Sequence, residues 1–275
     1  MAAADLDADR VFLGSIPALY DLHLGPLIFG PYADDLAFRL ADMEHGRILE
    51  TAAGTGMATR ALVSSLPGNV SIVATDLNQP MLDHAARQLP STRVAWRQVD
   101  AEHLPFADGE FDAVVCQFGV MFFPDKRRAF SEAYRVLKPG GRFLFNVWDR
   151  IETNEFADIV VKSVATLFPD NPPMFLVRTP HGHYDTAALA AQLRGTGFLP
   201  VTTETVTRRS QACSALSVAI GYCQGTPMRN EIEAQDPDRL AEATDIAAAA
   251  ITRHFGPGPV NGKIQAHVMT AVRNS

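Results

Sequence analysis

Two acids and a run of small residues are spaced so that a chain could hold a polar ligand between them. Ile48-Leu49-Glu50 leads into Thr51-Ala52-Ala53-Gly54-Thr55-Gly56, an apolar run followed by residues that leave the backbone bare. A ligand reaches main-chain groups only where side chains are absent, and the free N–H groups at a helix start attract electron-rich atoms. An ordinary strand-to-helix turn has the same appearance, so the second acid matters. Asp76 closes the next apolar run, twenty residues beyond Gly56, where a carboxylate can accept hydrogen bonds from both hydroxyls of a ribose. Asp100 and Gln117 close the two runs after that, which brings polar groups to four run ends. Three histidines, His23, His181 and His183, are candidates for removing a proton from a phenol-like group, and each equally suits packing or solvent. His181-Gly182-His183 offers two metal-type ligands with no recognisable third, so no metal site is expected.

These residues need elements to carry them. Strand candidates are 47–50, 71–76, 94–99, 111–117 and 142–148, alternating with helical patterns, the mark of βαβ units and a largely parallel sheet. Met57, Ala61 and Leu62 share a helix face that ends at Pro67-Gly68. Pro80 suits a first helical turn, after which Met81, Ala85 and Leu89 align. Phe130, Ala133, Tyr134 and Leu137 form a further face, broken by Lys138-Pro139-Gly140-Gly141. Beyond residue 150 the alternation lapses into Pro- and Gly-punctuated chain. Asp185 or Thr186 caps a helix through Arg194, a Thr/Val-rich strand follows over 201–209, 214–255 is alanine-rich and helical, and 263–272 alternates as a last strand.

Composition narrows the partners. A chain of 275 residues, nearly half apolar, fits one large domain with an attached cap. A net charge of -7 gives no global attraction for phosphate backbones or anionic lipid, so no nucleic-acid partner is evident. The opening Met1-Ala2-Ala3-Ala4-Asp5-Leu6-Asp7 reads as neither signal nor transit peptide, and no stretch reaches membrane-spanning length. Three cysteines without metal-like spacing suit a reduced, cytoplasmic protein.

The ordered set of Glu50 with Gly54-Thr55-Gly56, Asp76-Leu77, Asp100-Ala101-Glu102-His103-Leu104-Pro105-Phe106, Phe111-Asp112 and Arg135-Val136-Leu137-Lys138-Pro139-Gly140-Gly141 resembles the class I S-adenosylmethionine-dependent methyltransferases, within them the ubiquinone/menaquinone-type branch. It covers about residues 47–150. The resemblance implies a Rossmann-like α/β fold: a seven-stranded, mostly parallel sheet with an antiparallel last strand, helices on both faces and a helical cap. It implies S-adenosyl-L-methionine as cofactor and S-adenosylhomocysteine as product. The turn formed by Glu50, Ala52, Gly54, Thr55 and Gly56 would receive the methionyl part, Asp76 the ribose, and Leu77 one face of the adenine. Asp100 and the Ala101 backbone would meet the adenine edge, Gln117 would sit near the sulfonium, and Met81 and Tyr20 complete the cofactor-binding set. Ala52 stands where the family's usual pattern has its first glycine, which a methyl group tolerates while φ stays negative.

The same resemblance divides the chain into an N-terminal helical lid (1–46), the cofactor-binding core (47–150), a cap insertion (151–184), a core helix and strand (185–210), a helical cap insertion (211–260) and a final core strand (261–275). Tyr20 to Pro26 and Phe29 to Tyr32 resemble the branch's aromatic lid, and aromatics at this spacing serve packing as readily. Phe122, Phe123, Met174, Phe175 and Leu176 suit an apolar pocket wall or a core. The expected activity is methyl transfer to a small, partly apolar or aromatic molecule, with no residue assigned as catalytic. The alternatives are a protein or nucleic-acid acceptor, a non-catalytic cofactor-binding protein of the same fold, and an NAD(P)-dependent dehydrogenase. Thr59, where a dehydrogenase turn needs a third small residue, counts against the last.

Overall fold

The computed structural model describes residues 9, 10, 12 and 14–274, so the expectation for the opening seven residues lies outside the described residues. The chain divides into two compact units. One comprises Met1–Phe29, Trp148–Tyr184 and Thr207–Ala266, and the other Gly30–Val147, Asp185–Val206 and His267–Ser275.

Most of the second unit is made of alternating strands and helices: α2 (Gly30–Phe38), β1 (Gly46–Glu50), α3 (Met57–Ser65), β2 (Val70–Asp76), α4 (Gln79–Gln88), β3 (Val94–Gln98), β4 (Phe111–Gln117), α5 (Lys126–Val136), β5 (Leu137–Trp148) and α8 (Thr186–Gly195). The strand order, β3-β2-β1-β4-β5-β7-β6, is completed by β6 (Phe198–Ala212) and β7 (Val260–Arg273). β1 pairs in parallel with β2 and β4, as do β2 with β3 and β4 with β5. β2 and β4 are buried over near-continuous apolar runs, as strands covered on both faces must be. The last two strands run antiparallel: Thr202, Thr205 and Thr207 of β6 meet Thr270, His267 and Gln265 of β7 in descending order. The expected seven-stranded, mostly parallel sheet is therefore the sheet observed.

Helix ends follow side-chain chemistry. Asp125 and Asp185 each accept a backbone N–H three residues on, capping α5 and α8, and Pro80 lies in the first turn of α4. One boundary differs from its expectation. Lys138-Pro139-Gly140-Gly141 is not a break between helix and strand but a bulge within β5: Leu137 still pairs with Phe111, and Arg142 with Ala113. Gly140, at φ +79, makes the turn, and a Cβ on Gly141 would lie 2.8 Å from the Lys138 carbonyl.

The other unit is mainly helical, with α1 (Ile16–Leu19), a π-helix (Tyr20–Phe29), α6 (Glu155–Ala165), α7 (Phe175–Arg178), α9 (Ala215–Gln224), α10 (Met228–Gln235) and α11 (Leu240–Phe255). α9 packs on α11 and on the π-helix. A charged cluster ties its distant segments: the Arg178 guanidinium donates to buried Asp9 and to Glu231, whose other oxygen accepts the N–H groups of Met174 and Phe175. Among the described residues no helix is long and apolar enough to cross a membrane.

Arg135 shows how a motif residue shapes the chain near Asp100. Its guanidinium donates to the carbonyls of Leu104 (2.8 Å) and Phe106 (2.7 Å) and to Asp108 and Glu132. The planar fork spans these acceptors at once, which a lysine cannot do. Arg135→Ala is expected to lower stability by about 2–3 kcal/mol in urea denaturation, with Arg135→Lys recovering less than half of the loss.

Candidate cofactor site

β1 lies between β2 and β4, so consecutive strands diverge at its carboxyl end, where open α/β sheets bind ligands. After β1 the chain stays pinned to both neighbours. Thr51 N–H donates to the Val115 carbonyl and Ala53 N–H to the Thr75 carbonyl, both at 2.9 Å. Gly54 follows with φ +55, and a Cβ there would meet nothing within 4 Å. Gly56, at φ +81, begins α3 where a side chain would press on Trp96 and Ala85.

The turn is clamped by Asp76. One carboxylate oxygen accepts the Gly54 N–H at 2.8 Å, and the other accepts the Asn78 N–H at 2.8 Å and its side-chain amide at 3.3 Å. Asp76 is only 7% exposed, and burial pushes its pKa up against the opposing pull of those donors. Leu77, beside it, is 45% exposed, an apolar surface with open space over it. Asp100 is half-exposed after β3 and accepts the Glu102 N–H at 2.9 Å. Gln117 closes β4 opposite Asn146 of β5. Met81 is buried on the inner face of α4 with Leu82 and Ala85.

Glu50 is almost completely enclosed and accepts the Thr59 hydroxyl at 2.6 Å. Burial, together with the nearby Asp76 charge, pushes its pKa up to about 8, the Thr59 hydroxyl pulling the other way. Thr55, also buried, has a side-chain oxygen without a hydrogen-bond partner.

Ala52 departs from its expectation. Its φ is +53, not negative, so the methyl group sits in left-handed backbone, which costs an L-residue roughly 1–2 kcal/mol. Phe118, at φ +50, is the second non-glycine residue in that region. Its N–H donates to Asn146 Oδ1 at 2.8 Å, and its ring meets Tyr32 edge-on at 5.4 Å. Between these two turns lies Gly119, where a Cβ would stand 2.4 Å from Ala52 Cβ and 2.7 Å from Cys116 Sγ.

The structure thus brings Glu50, Ala52, Gly54, Thr55, Gly56, Asp76, Leu77, Met81, Asp100, Ala101 and Gln117 into one unit, while Tyr20, His23, His181 and His183 belong to the other. Tyr20 stacks on Phe29 at 4.7 Å, and fully buried Tyr32 donates its hydroxyl to the Val206 carbonyl. His23 Nδ1 lies 3.0 Å from Ser217 Oγ, and burial lowers its pKa. His181 is buried, donates through Nδ1 to the Asp149 carbonyl at 2.8 Å, and is pushed down to about 4, which makes it a weak base at neutral pH. Phe175 and Leu176 are core residues, whereas Met174 is 40% exposed. Sequence reasoning missed Thr59, Gly119 and Asn146, whose roles depend on contacts across strands.

Residues 49–145 match a family model described as a methyltransferase domain. The chain is 36% identical over 137 residues to the ubiquinone/menaquinone biosynthesis C-methyltransferase of Haemophilus ducreyi, covering 47% of this chain and 53% of that one. It is 39% identical over 104 residues to the demethylmenaquinone methyltransferase of Lactiplantibacillus plantarum, covering 36% and 44%. It spans about half the length of these curated relatives. Among solved structures, the phosphoethanolamine N-methyltransferase 2 of Haemonchus contortus, in complex with S-adenosyl-L-methionine, superposes with a TM-score of 0.63 at 17% identity, covering 100% of this chain and 61% of that one.

Two variants test the turn geometry. Gly119→Ala is expected to cost about 2 kcal/mol or more, because the added methyl overlaps Ala52 and Cys116. Ala52→Gly should raise stability by roughly 0.5–1 kcal/mol, the relief of φ strain less the entropy gained by the unfolded chain, and should soften the Gly119→Ala penalty. A third concerns Glu50. With its folded pKa about 8 against an ordinary 4.5, the folded state binds the proton more tightly, so the group's contribution to stability falls as pH rises from about 4.5 to 8. Urea titrations should show Glu50→Gln gaining on the parent protein between pH 5 and pH 8.

With the strand order, the glycine turn and the family match in agreement, the chain carries a class I methyltransferase domain, similar to those of the ubiquinone/menaquinone-type branch.

Proposed function

We propose that this chain transfers a methyl group from S-adenosyl-L-methionine to a small, partly apolar or aromatic acceptor, leaving S-adenosylhomocysteine. One observation carries the reading: Asp76, at the end of β2, clamps the Gly54 N–H beside a glycine backbone that is open to approach. The residues fit such a cofactor. Asp76 retains lone pairs for ribose hydroxyls, Leu77 offers an uncovered apolar face to an adenine ring, and Asp100 with Ala101 follows the next strand as acceptor and donor for its edge. When bound, the cofactor supplies a sulfonium methyl electrophilic enough that much of the rate can come from positioning. Gln117, at the end of β4, is the polar group assigned to the sulfonium end, and no protein base is required by this reading.

The names of the curated relatives support a quinone-type ring as the first acceptor class to test. The matched segment stops short of the regions outside the sheet, so acceptor identity rests on that similarity alone.

Calorimetry should show binding of S-adenosylmethionine and S-adenosylhomocysteine and no comparable binding of NAD(H) or NADP(H). A preference for the nicotinamides overturns the assignment. Asp76→Ala should weaken cofactor binding by about 2–3 kcal/mol through loss of charge-assisted bonds to ribose, with circular dichroism unchanged. Unaltered affinity reduces Asp76 to a turn residue.

A further inference from the structure

A buried amide of β5 has its donor side uncommitted. Asn146 is fully enclosed and pairs in register with Gln117, the last residue of β4, in the same unit. Phe143 and Phe145 pack on Phe130 of α5, so strand alternation turns Asn146 to the opposite face of the sheet. Its side chain reaches the turn after β4, where Oδ1 accepts the Phe118 N–H at 2.8 Å. That bond fixes which way the amide lies, because a reversed amide would set two donors face to face. The turn it reaches is strained, with Phe118 at φ +50, and strain of this kind clusters where a chain meets a ligand. Nδ2, by contrast, has no hydrogen-bond partner among the described residues. Enclosed donors are nearly always paired, because one that has left water and found no acceptor is destabilising. An orphan in such a place points to a partner brought in from outside.

Strand order indicates which partner. In the cofactor reading above, on which this inference rests, the adenine and ribose groups stand at the ends of β3 and β2, the glycine turn at β1, and Gln117, the group assigned to the sulfonium, at β4. β5 is the next strand in the same direction. Two of the three bonds to the sulfonium sulfur belong to the body of the cofactor. An in-line nucleophile therefore approaches from the side away from that body, with the reacting atoms about 3–3.5 Å apart. Neighbouring strands are about 4.8 Å apart, so an acceptor ring in that position lies over the end of β5. We propose that Asn146 is an acceptor-binding residue: its Nδ2 donates a hydrogen bond to an oxygen of the methyl acceptor, a ring hydroxyl or carbonyl of a quinone-type molecule. The bond fixes the rotation of the ring and holds a neighbouring ring atom in line with the methyl group. A ring without such an oxygen leaves the donor unpaired, which makes Asn146 a source of discrimination between oxygenated and plain hydrocarbon acceptors.

The amide itself reports the outcome. In nitrogen-15 spectra of the full chain, the Asn146 side-chain pair is the one lost in Asn146→Asp, which keeps an oxygen for the Phe118 N–H, or in Asn146→Ala should the buried acid prevent folding. S-adenosylhomocysteine alone is expected to leave that pair in place. Adding 1,4-naphthoquinol, kept reduced, to the complex should move one of the two protons downfield and slow its exchange, whereas naphthalene, the same ring without oxygens, should not. The variant that folds should bind naphthoquinol about tenfold more weakly, the equivalent of one lost hydrogen bond, with its affinity for S-adenosylhomocysteine changed by less than about twofold. A shift produced by S-adenosylhomocysteine alone assigns the donor to the cofactor and overturns the inference. Naphthoquinol that binds without moving the pair, or an equal shift with naphthalene, overturns it as well. Naphthoquinol that does not bind the complex overturns it together with the quinone acceptor class. In each of these cases the cofactor reading stands, whereas failure of S-adenosylhomocysteine to bind overturns both.

Discussion

The hydrogen bond from Gly54 N–H to the Asp76 carboxylate is the contact on which the candidate site depends. It joins the turn after β1 to the end of β2, two places that the chain reaches twenty-two residues apart. The glycine supplies a left-handed conformation with open space above it, and the acid supplies the acceptor oxygen that holds it there. Around that bond the remaining main-chain groups are committed: Thr51 to β4, Ala53 to β2 and Asn78 to Asp76 itself. A turn restrained in this way is rigid before any ligand arrives, which lowers the ordering cost of binding.

Rigidity here is accompanied by strain. Ala52 and Phe118 are the two described non-glycine residues with positive φ, and they lie in the turns after β1 and β4. Both are over-determined by neighbours: Ala52 by close approach to Gly119, and Phe118 by Asn146 and Tyr32. Strained backbone of this kind persists where surrounding packing enforces it, and it clusters where a chain must present groups to a ligand. Ala52 takes a strained conformation that glycine would adopt freely, and the absent side chain of Gly119 makes room for its methyl group.

The parallel strands and the glycine turn were legible in the sequence because they depend on local pattern. β2 and β4 must be apolar throughout to lie between two helical layers, and only small residues can leave a backbone bare. Asp76 was legible through its position at the end of a run. Other features depend on which residues face each other across the sheet, and no local signal carries that. Thr59 reads as an obstacle to close helix packing, yet its hydroxyl is the partner of Glu50. Asn146 reads as one more residue of an apolar strand until register sets it opposite Gln117. The sign of φ at Ala52 follows from tertiary packing, which propensity does not encode. Lys138-Pro139-Gly140-Gly141 carries clear breaker chemistry, but a breaker can interrupt a strand from within when both flanks keep their partners.

The segment shared with the methyltransferase family, residues 49–145, falls within one unit, and the helical unit contributes nothing to the match. A fold of this kind hosts many chemistries, so cofactor chemistry and acceptor choice are separate questions. The strand ends bear on the first, through the polar groups that Asp76 and Gln117 place there. The helical unit is a self-consistent structure of its own. Its distant segments are fastened by Asp9, Arg178 and Glu231, and its π-helix presents His23 against Ser217. The π-helix is an uncommon conformation that recurs at functional positions, and its wider turn changes which side chains share a face. Of the three histidines, His181 is neutral and committed to a main-chain carbonyl, whereas His23 faces a hydroxyl that can donate or accept.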